Sequence, residues 1–197
     1  MVATVSVTQP RLEGLLERPV CGWVAQRSHA QVAQLRAGEI LLDYQVLSNR
    51  RALVQVEMYL QRPRWQIWQR LTDYANWTQL LPNILKSEVR LQGIERRLIQ
   101  AAGFEMPFRS PQVEIELTVR ECEGRRVEFE LASGSFAEFM ATLSLSDCEA
   151  GTFVRYSVEA LLLWSLPRMA IEHGIRCILP HNLKALRDRL GVANPQL

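Results

Sequence analysis

From Gln112 to Arg120 the chain alternates, with Val113, Ile115, Leu117 and Val119 on one side and Gln112, Glu114, Glu116, Thr118 and Arg120 on the other. A period of two predicts a strand with one buried and one wet face. The same rhythm recurs in Ile40, Leu42, Tyr44 and Val46, and in Ala52, Val54, Val56, Met58 and Leu60. It returns in Ile84–Leu91, Ile94–Ala102, Val127 to Leu131, Phe139 to Leu145, and Thr152 to Ala160. Turn signals separate neighbours at Ser48-Asn49-Arg50, Gly93, Glu123-Gly124, Ser133-Gly134 and Gly151. Short turns between alternating strands predict an antiparallel meander.

Two places break the rhythm. After Pro63, Trp65, Trp68 and Leu71 fall at helical spacing, with both tryptophans expected in the core. Asp73 is placed to cap a second, short helix through Gln79, and Pro82 ends it. From Leu166 to Leu190 a longer helix carries an apolar stripe of Met169, Ile171, Ile175, Ile178, Leu179, Leu183 and Leu186. Gly174 and Pro180 should bend it. Residues 1–34 show weak periodicity and read as a partly irregular arm, 35–191 as the domain, and 192–197 as a tail.

The fold class is therefore α+β: a curved antiparallel sheet of about seven strands, with room for one extra N-terminal strand, around a long C-terminal helix. Two short helices follow the first strand of the core repeat. Seven strands at ~4.8 Å spacing span roughly 30 Å. One helix is only ~10–12 Å across. It covers that face only if the sheet curls around it, and curling leaves an apolar hollow. The expected lining comprises Trp77 and Leu81 from the short helices, and Phe104, Met106 and Phe108 from the GFEMPFRSP loop. The sheet adds Val113, Ile115, Leu117, Phe129, Phe139, Leu143, Val154, Tyr156 and Val158, and the last helix adds Met169, Ile175, Ile178 and Asn182. The competing expectation is an inner row that closes into a solid core.

Composition changes this little. The chain has 197 residues, 48% hydrophobic and 22% charged, which is ordinary for one globular domain. A net charge of +2 demands no nucleic acid, and none is expected as a specific partner. Lys86 and Lys184 are the only lysines; the remaining basic residues are Arg, with doublets at Arg50-Arg51, Arg96-Arg97 and Arg125-Arg126 beside turns. They read as solvated strand ends. No secretory signal pattern stands at the N-terminus and no apolar run spans a bilayer, so a cytoplasmic location is expected, with Cys21, Cys122, Cys148 and Cys177 as reduced thiols.

Candidate chemistry is sparse. His173, Cys177 and His181 share a helix, but the outer two lie ~12 Å apart along its axis, so no metal or other cofactor is expected. Thr152, Tyr156, Asn182 and Ser87 are the polar residues that the pattern places on inner rows. Tyr156 is a candidate hydrogen-bond donor or weak acid, and a satisfied buried hydroxyl is the plainer alternative. Arg155 and Glu159 fall on the outer row, which is expected to be wet. Arg109 is a candidate partner for an anionic head group.

VEMYLQRPRWQIWQRLTDYANWTQLLPNILKSEV resembles the opening of the START-like helix-grip superfamily, within it the polyketide cyclase/dehydrase and coenzyme Q-binding branch. The carriers of the resemblance are an apolar strand (Val54 to Leu60), Pro63, Thr72-Asp73-Tyr74 and Pro82. LPRMAIEHGIRCILPHNLKALRDRL, with Pro180, Asn182 and Leu183, is similar to the family's last helix. The resemblance covers roughly residues 50–190. It implies a β-αα-β6-α fold with an internal pocket for an apolar or amphipathic small molecule. Members include lipid and quinone carriers and aromatase/cyclases, so the fold leaves activity open. The expected function is non-catalytic binding or transport of a lipid, quinone or isoprenoid, with transient membrane or protein contact. The alternatives are a cyclase/dehydratase-type enzyme using Tyr156, and an RNA- or protein-binding module.

Overall fold

The computed structural model describes residues 5–8, 27–103, 112–148 and 151–191, the first four by backbone alone. In chain order the elements are β1 (Val5–Thr8), α1 (His29–Arg36), β2 (Ile40–Val46), β3 (Arg51–Leu60), α2 (Arg64–Thr72) and α3 (Trp77–Leu80). Six strands follow: β4 (Ile84–Gln92), β5 (Glu95–Gly103), β6 (Gln112–Cys122), β7 (Arg126–Gly134), β8 (Phe136–Cys148) and β9 (Gly151–Leu162). The last helix comprises α4 (Arg168–His173), a π-helical turn (Gly174–Ile178) and α5 (Leu179–Gly191).

All nine strands join one sheet in the order β1-β2-β3-β9-β8-β7-β6-β5-β4. Every neighbouring pair is antiparallel except β1 with β2, which is parallel. The expected hairpin is β2–β3 and the expected meander is β4 to β9, joined where β3 pairs with β9. The added edge strand, β1, comes from within the N-terminal arm.

The inner face carries the main core. Ile40, Leu42 and Tyr44 of β2, Val56, Met58 and Leu60 of β3, and Leu143 and Leu145 of β8 are buried with Ile67, Leu71 and Leu183 of the helices. Trp65 departs from expectation. It is 52% exposed, because α2 turns Ile67 and Leu71 inward and leaves Trp65 on its outer side. Asp73 also differs: it makes no side-chain cap bond to the backbone. Its carboxylate accepts from the Asn76 side-chain amide at 2.7 Å.

The convex face is not uniformly wet. Ser28 Oγ accepts from the Gln31 amide at 3.3 Å, and the Gln31 side chain accepts from the Ser28 amide at 3.1 Å. This capping box starts α1. Leu35 of α1 packs with Leu41 and Phe153 as a second, small core on the outer row. Beside it, Arg27 donates to Glu57 at 2.8 and 2.9 Å and to Asp43 at 3.1 Å. Arg155 donates to Glu57 at 2.8 Å. Arg155 occupies the outer row as its alternation predicts, but it lies in this buried ion network and not in water, with a side chain only 11% exposed.

The last helix widens where its sequence demands it. Pro180 has no N–H and its ring presses on the carbonyl four residues back, that of Arg176. Arg176 lies within the π-helical turn, which relieves the crowding without ending the helix.

Candidate functional site

Strand register stacks the inner row into cross-sheet layers. Met58, Val154 and Leu145 form one layer, and Val56, Tyr156 and Leu143 the next. Val54, Val158 and Ala141 form the third, and Ala52, Ala160 and Phe139 the fourth. The first layer is buried throughout. From Tyr156 onward, β9 changes: Tyr156, Val158 and Ala160 are half-buried, as are Val54 and Ala52 across from them. On β6 Leu117 and Val119 are buried and Val113 and Ile115 half-buried, and the change falls further along, because Val119 is level with Phe129, Ala141 and Val158. The interior is thus closed at one end and reached by water at the other.

Small side chains cause the difference. The third and fourth layers are Ala and Val apart from Phe139, so they project less toward the helix than the Met, Val and Leu of the first. The open end lies toward the β2–β3 turn and the segment following β9, where Leu163, Trp164 and Met169 are exposed.

Aromatic rings pack over the β6–β7 side of the sheet. Tyr74, Trp77 and Phe129 pack with centroids 5.7, 5.8 and 6.1 Å apart. Trp77 Nε1 donates to the Leu71 carbonyl at 2.9 Å, stitching the short helices across their break. Tyr74 donates to Glu121 at 2.7 Å, and Glu121 also pairs with Arg96. Burial, with Glu121 beside it, holds the Tyr74 hydroxyl protonated far above the usual phenol range. An open groove of about 450 Å³ is lined by Leu91, Ile94, Arg96, Val119 and Glu121.

Polar groups on the inner face are few. Thr152 is satisfied by the Arg62 carbonyl at 2.8 Å. Ser87 donates to the Tyr74 carbonyl at 2.6 Å and accepts from Gln100 Nε2 at 3.3 Å. Tyr156 and Asn182 have no hydrogen-bond partner among the described residues. Asn182 is only 6% exposed. Burial pushes the Tyr156 hydroxyl up to about 12. Tyr156 is therefore hemmed in by protein while part of its surface remains open to water.

Of the expected lining, Leu117, Phe129, Leu143, Val154, Ile175 and Asn182 are buried. Trp77, Leu81, Val113, Ile115, Phe139, Tyr156, Val158 and Ile178 are half-buried. Met169 stands apart at the start of α4, 83% exposed. Phe104, Met106, Phe108 and Arg109 lie outside the described residues. Gln100 is an inner-row polar residue that the sequence reading missed. Counting by twos from Leu98 places it there, opposite Ile115.

His173, Cys177 and His181 are exposed. Among the described residues no cluster of His, Cys, Asp and Glu is arranged to hold a metal. The Arg doublets contribute to ion pairs with glutamates: Arg51 with Glu159, Arg97 with Glu95 at 2.6 Å, and Arg126 with Glu128 at 3.2 Å. No helix among the described residues is long and apolar enough to cross a membrane.

Solved structures share the architecture at low identity. A STAR-related lipid transfer protein from Xanthomonas axonopodis superposes with TM-score 0.58 at 17% identity, covering 77% of this chain and 92% of that one. A START superfamily protein from Mycobacterium smegmatis gives 0.56 at 16%, covering 70% and 96%. The Zhui aromatase/cyclase from Streptomyces sp. R1128 gives 0.56 at 11%, covering 72% and 92%. No curated protein matches the chain significantly. The family model described as polyketide cyclase / dehydrase and lipid transport matches residues 51–191, from the first residue of β3 to the last of α5. The chain, with its helix-grip sheet and closing helix, belongs to this family.

Proposed function

We propose that the protein binds and carries a hydrophobic small molecule, of the lipid, quinone or isoprenoid kind, between the open half of the sheet and the C-terminal helix. The observation that carries this reading is Tyr156, enclosed by protein yet touched by water, one layer from half-buried Val54 and Val158. A pocket of this character, mostly apolar with a few placed polar groups, is the usual form of a small-molecule site. The family supplies lipid transport as a precedent.

The cyclase-type alternative asks Tyr156 to act as a general acid. A phenol held near 12 gives up its proton poorly at neutral pH. Among the described residues, no charged group shares the inner positions of the β9 and β8 layers to activate it.

The reading is tested by extracting the purified protein with organic solvent and identifying what is released by mass spectrometry. The stripped protein is then heated with and without added long-chain ketones and quinones. A released apolar molecule, or a rise in Tm with the additives, is the expected result. An empty extract together with an unmoved Tm would overturn it.

A further inference from the structure

We propose that the free edge of β4 joins two copies of this chain, strand against strand and antiparallel, about a two-fold axis through Val89. The inference is independent of the carrier reading.

β4 ends the sheet: β5 lies on one side and, among the described residues, no strand lies on the other. Its turn decides which backbone groups face outward. Gln92 pairs with Glu95 around a two-residue turn, Gly93-Ile94. Such a turn closes on a pair that exchanges both N–H···O bonds. Pairing then alternates, so Arg90 and Glu88 also bond to β5, while Leu91, Val89 and Ser87 turn their N–H and C=O groups to the open edge. An unpaired edge of this kind is a template for another strand. The apolar row beside it is uncovered too: Val89 is 39% and Leu91 77% exposed.

Charge selects the occupant and the register. A run of like charge would repel a second copy, but on β4 the signs alternate through Lys86, Glu88 and Arg90. Glu88 pairs with both neighbours at 3.1 Å. With the axis at Val89, this residue meets Val89 of the second copy, Ser87 meets Leu91, and Glu88 meets Arg90 twice over. Those charges fall at the non-hydrogen-bonded positions, where facing side chains come closest. The two pairs across the axis join the two within the chains into a closed ring of four alternating charges. An axis at Glu88 or at Arg90 would set like charges face to face. An axis at Ser87 would oppose Lys86 to Glu88, but Ser87 is half-buried and donates to the Tyr74 carbonyl at 2.6 Å, so the chain's own short helices flank it.

The contact is one strand wide, at the small end of protein interfaces, so the test is sedimentation velocity of the full chain from about 5 to about 500 μM. The parent should pass from monomer to dimer across that range. Val89→Pro removes an outward N–H while sparing the ladder with β5, and should weaken association about tenfold with an unchanged circular dichroism spectrum. Glu88→Arg and Arg90→Glu should each weaken it about tenfold, because two cross-strand pairs turn repulsive. Combining the two substitutions should restore association to within about threefold of the parent. If Val89→Pro fails to fold, the charge variants decide. A parent that stays monomeric throughout, a dimer that survives Val89→Pro, or a double variant no better than the single ones would overturn the proposal.

Discussion

At Gly134 the chain has φ +136 where β7 ends against β6. A Cβ there would lie 2.4 Å from the Glu114 carbonyl oxygen and 2.8 Å from Ile115 Cα. Both obstacles are backbone, so no rotamer change relieves them. Gly134→Ala is expected to destabilise by about 2 kcal/mol, through strain and overlap together. Gly174 is the internal control. It has α-helical geometry at φ −56, and a Cβ there meets nothing within 4 Å. Gly174→Ala should therefore stabilise by roughly 0.5–1 kcal/mol, since alanine loses less backbone freedom. Urea unfolding of both variants gives the signs directly. A Gly134→Ala protein as stable as the parent would mean that β6 and β7 do not approach this closely beside Ile115.

Among the elements, α1 is held to the sheet chiefly by an apolar contact and by an ionic one just before it. Leu35, 1% exposed, supplies the first. Arg27, just before the helix, supplies the second by bridging Asp43 and Glu57. Removing Arg27 leaves Arg155 to face two buried carboxylates. Arg27→Ala should cost about 3 kcal/mol, the usual scale for breaking a buried pair, and should raise amide exchange across α1 and β2. The same cluster has a pH signature. Burial raises the Asp43 carboxyl above its ordinary 3.8, and Arg27 only partly offsets this. The folded protein then retains this proton to higher pH than the unfolded chain does. Its contribution is complete below the ordinary value and is lost as pH rises through the raised one. Asp43→Asn removes the titration. The stability of the parent minus that of the variant should thus fall between about pH 4 and the raised value, then level off. Urea midpoints measured from about pH 4 to about pH 7 check this, and a difference that climbs with pH contradicts it. These elements also mark what a sequence can disclose. Strands β2 to β9 were legible because Val113 to Val119 and their counterparts repeat every second residue against one apolar layer. Helix α1 was not. Its only large apolar residues are Val32 and Leu35, and their partners Leu41 and Phe153 sit on the row that alternation assigns to water. The Ser28-x-x-Gln31 box was the available signal. Asp73 misled for a related reason: a capping residue type at a helix junction has other bonds open to it, and here it holds Asn76.

The molecule as a whole divides its interior into a packed half and an open half, and the division follows from register more than from residue type. Alternation identified the inner row and the width of the sheet, hence the hollow; it could not show that Ala52, Ala141 and Ala160 meet near Val54 and Val158. Only pairing across β3, β9 and β8 brings those short side chains together. This division predicts opposite responses to one kind of substitution. Val154 is 2% exposed in the packed layer with Met58 and Leu145, so Val154→Phe must displace neighbours and should cost about 1–3 kcal/mol. Val158 is half-buried, flanked by Val54 and Ala141. Val158→Phe can extend into the space next to Tyr156 and should leave stability within about 0.5 kcal/mol of the parent, or raise it. The same ring would occupy the guest's place, so affinity for long-chain ketones should fall at least tenfold. Val154→Phe, if folded, should change that affinity far less. The two variants therefore separate filling from function: one loses stability and keeps binding, the other keeps stability and loses binding. If Val158→Phe destabilised the fold as much as Val154→Phe, the open half would be as tightly packed as the closed one, and the protein would have no room for a passenger.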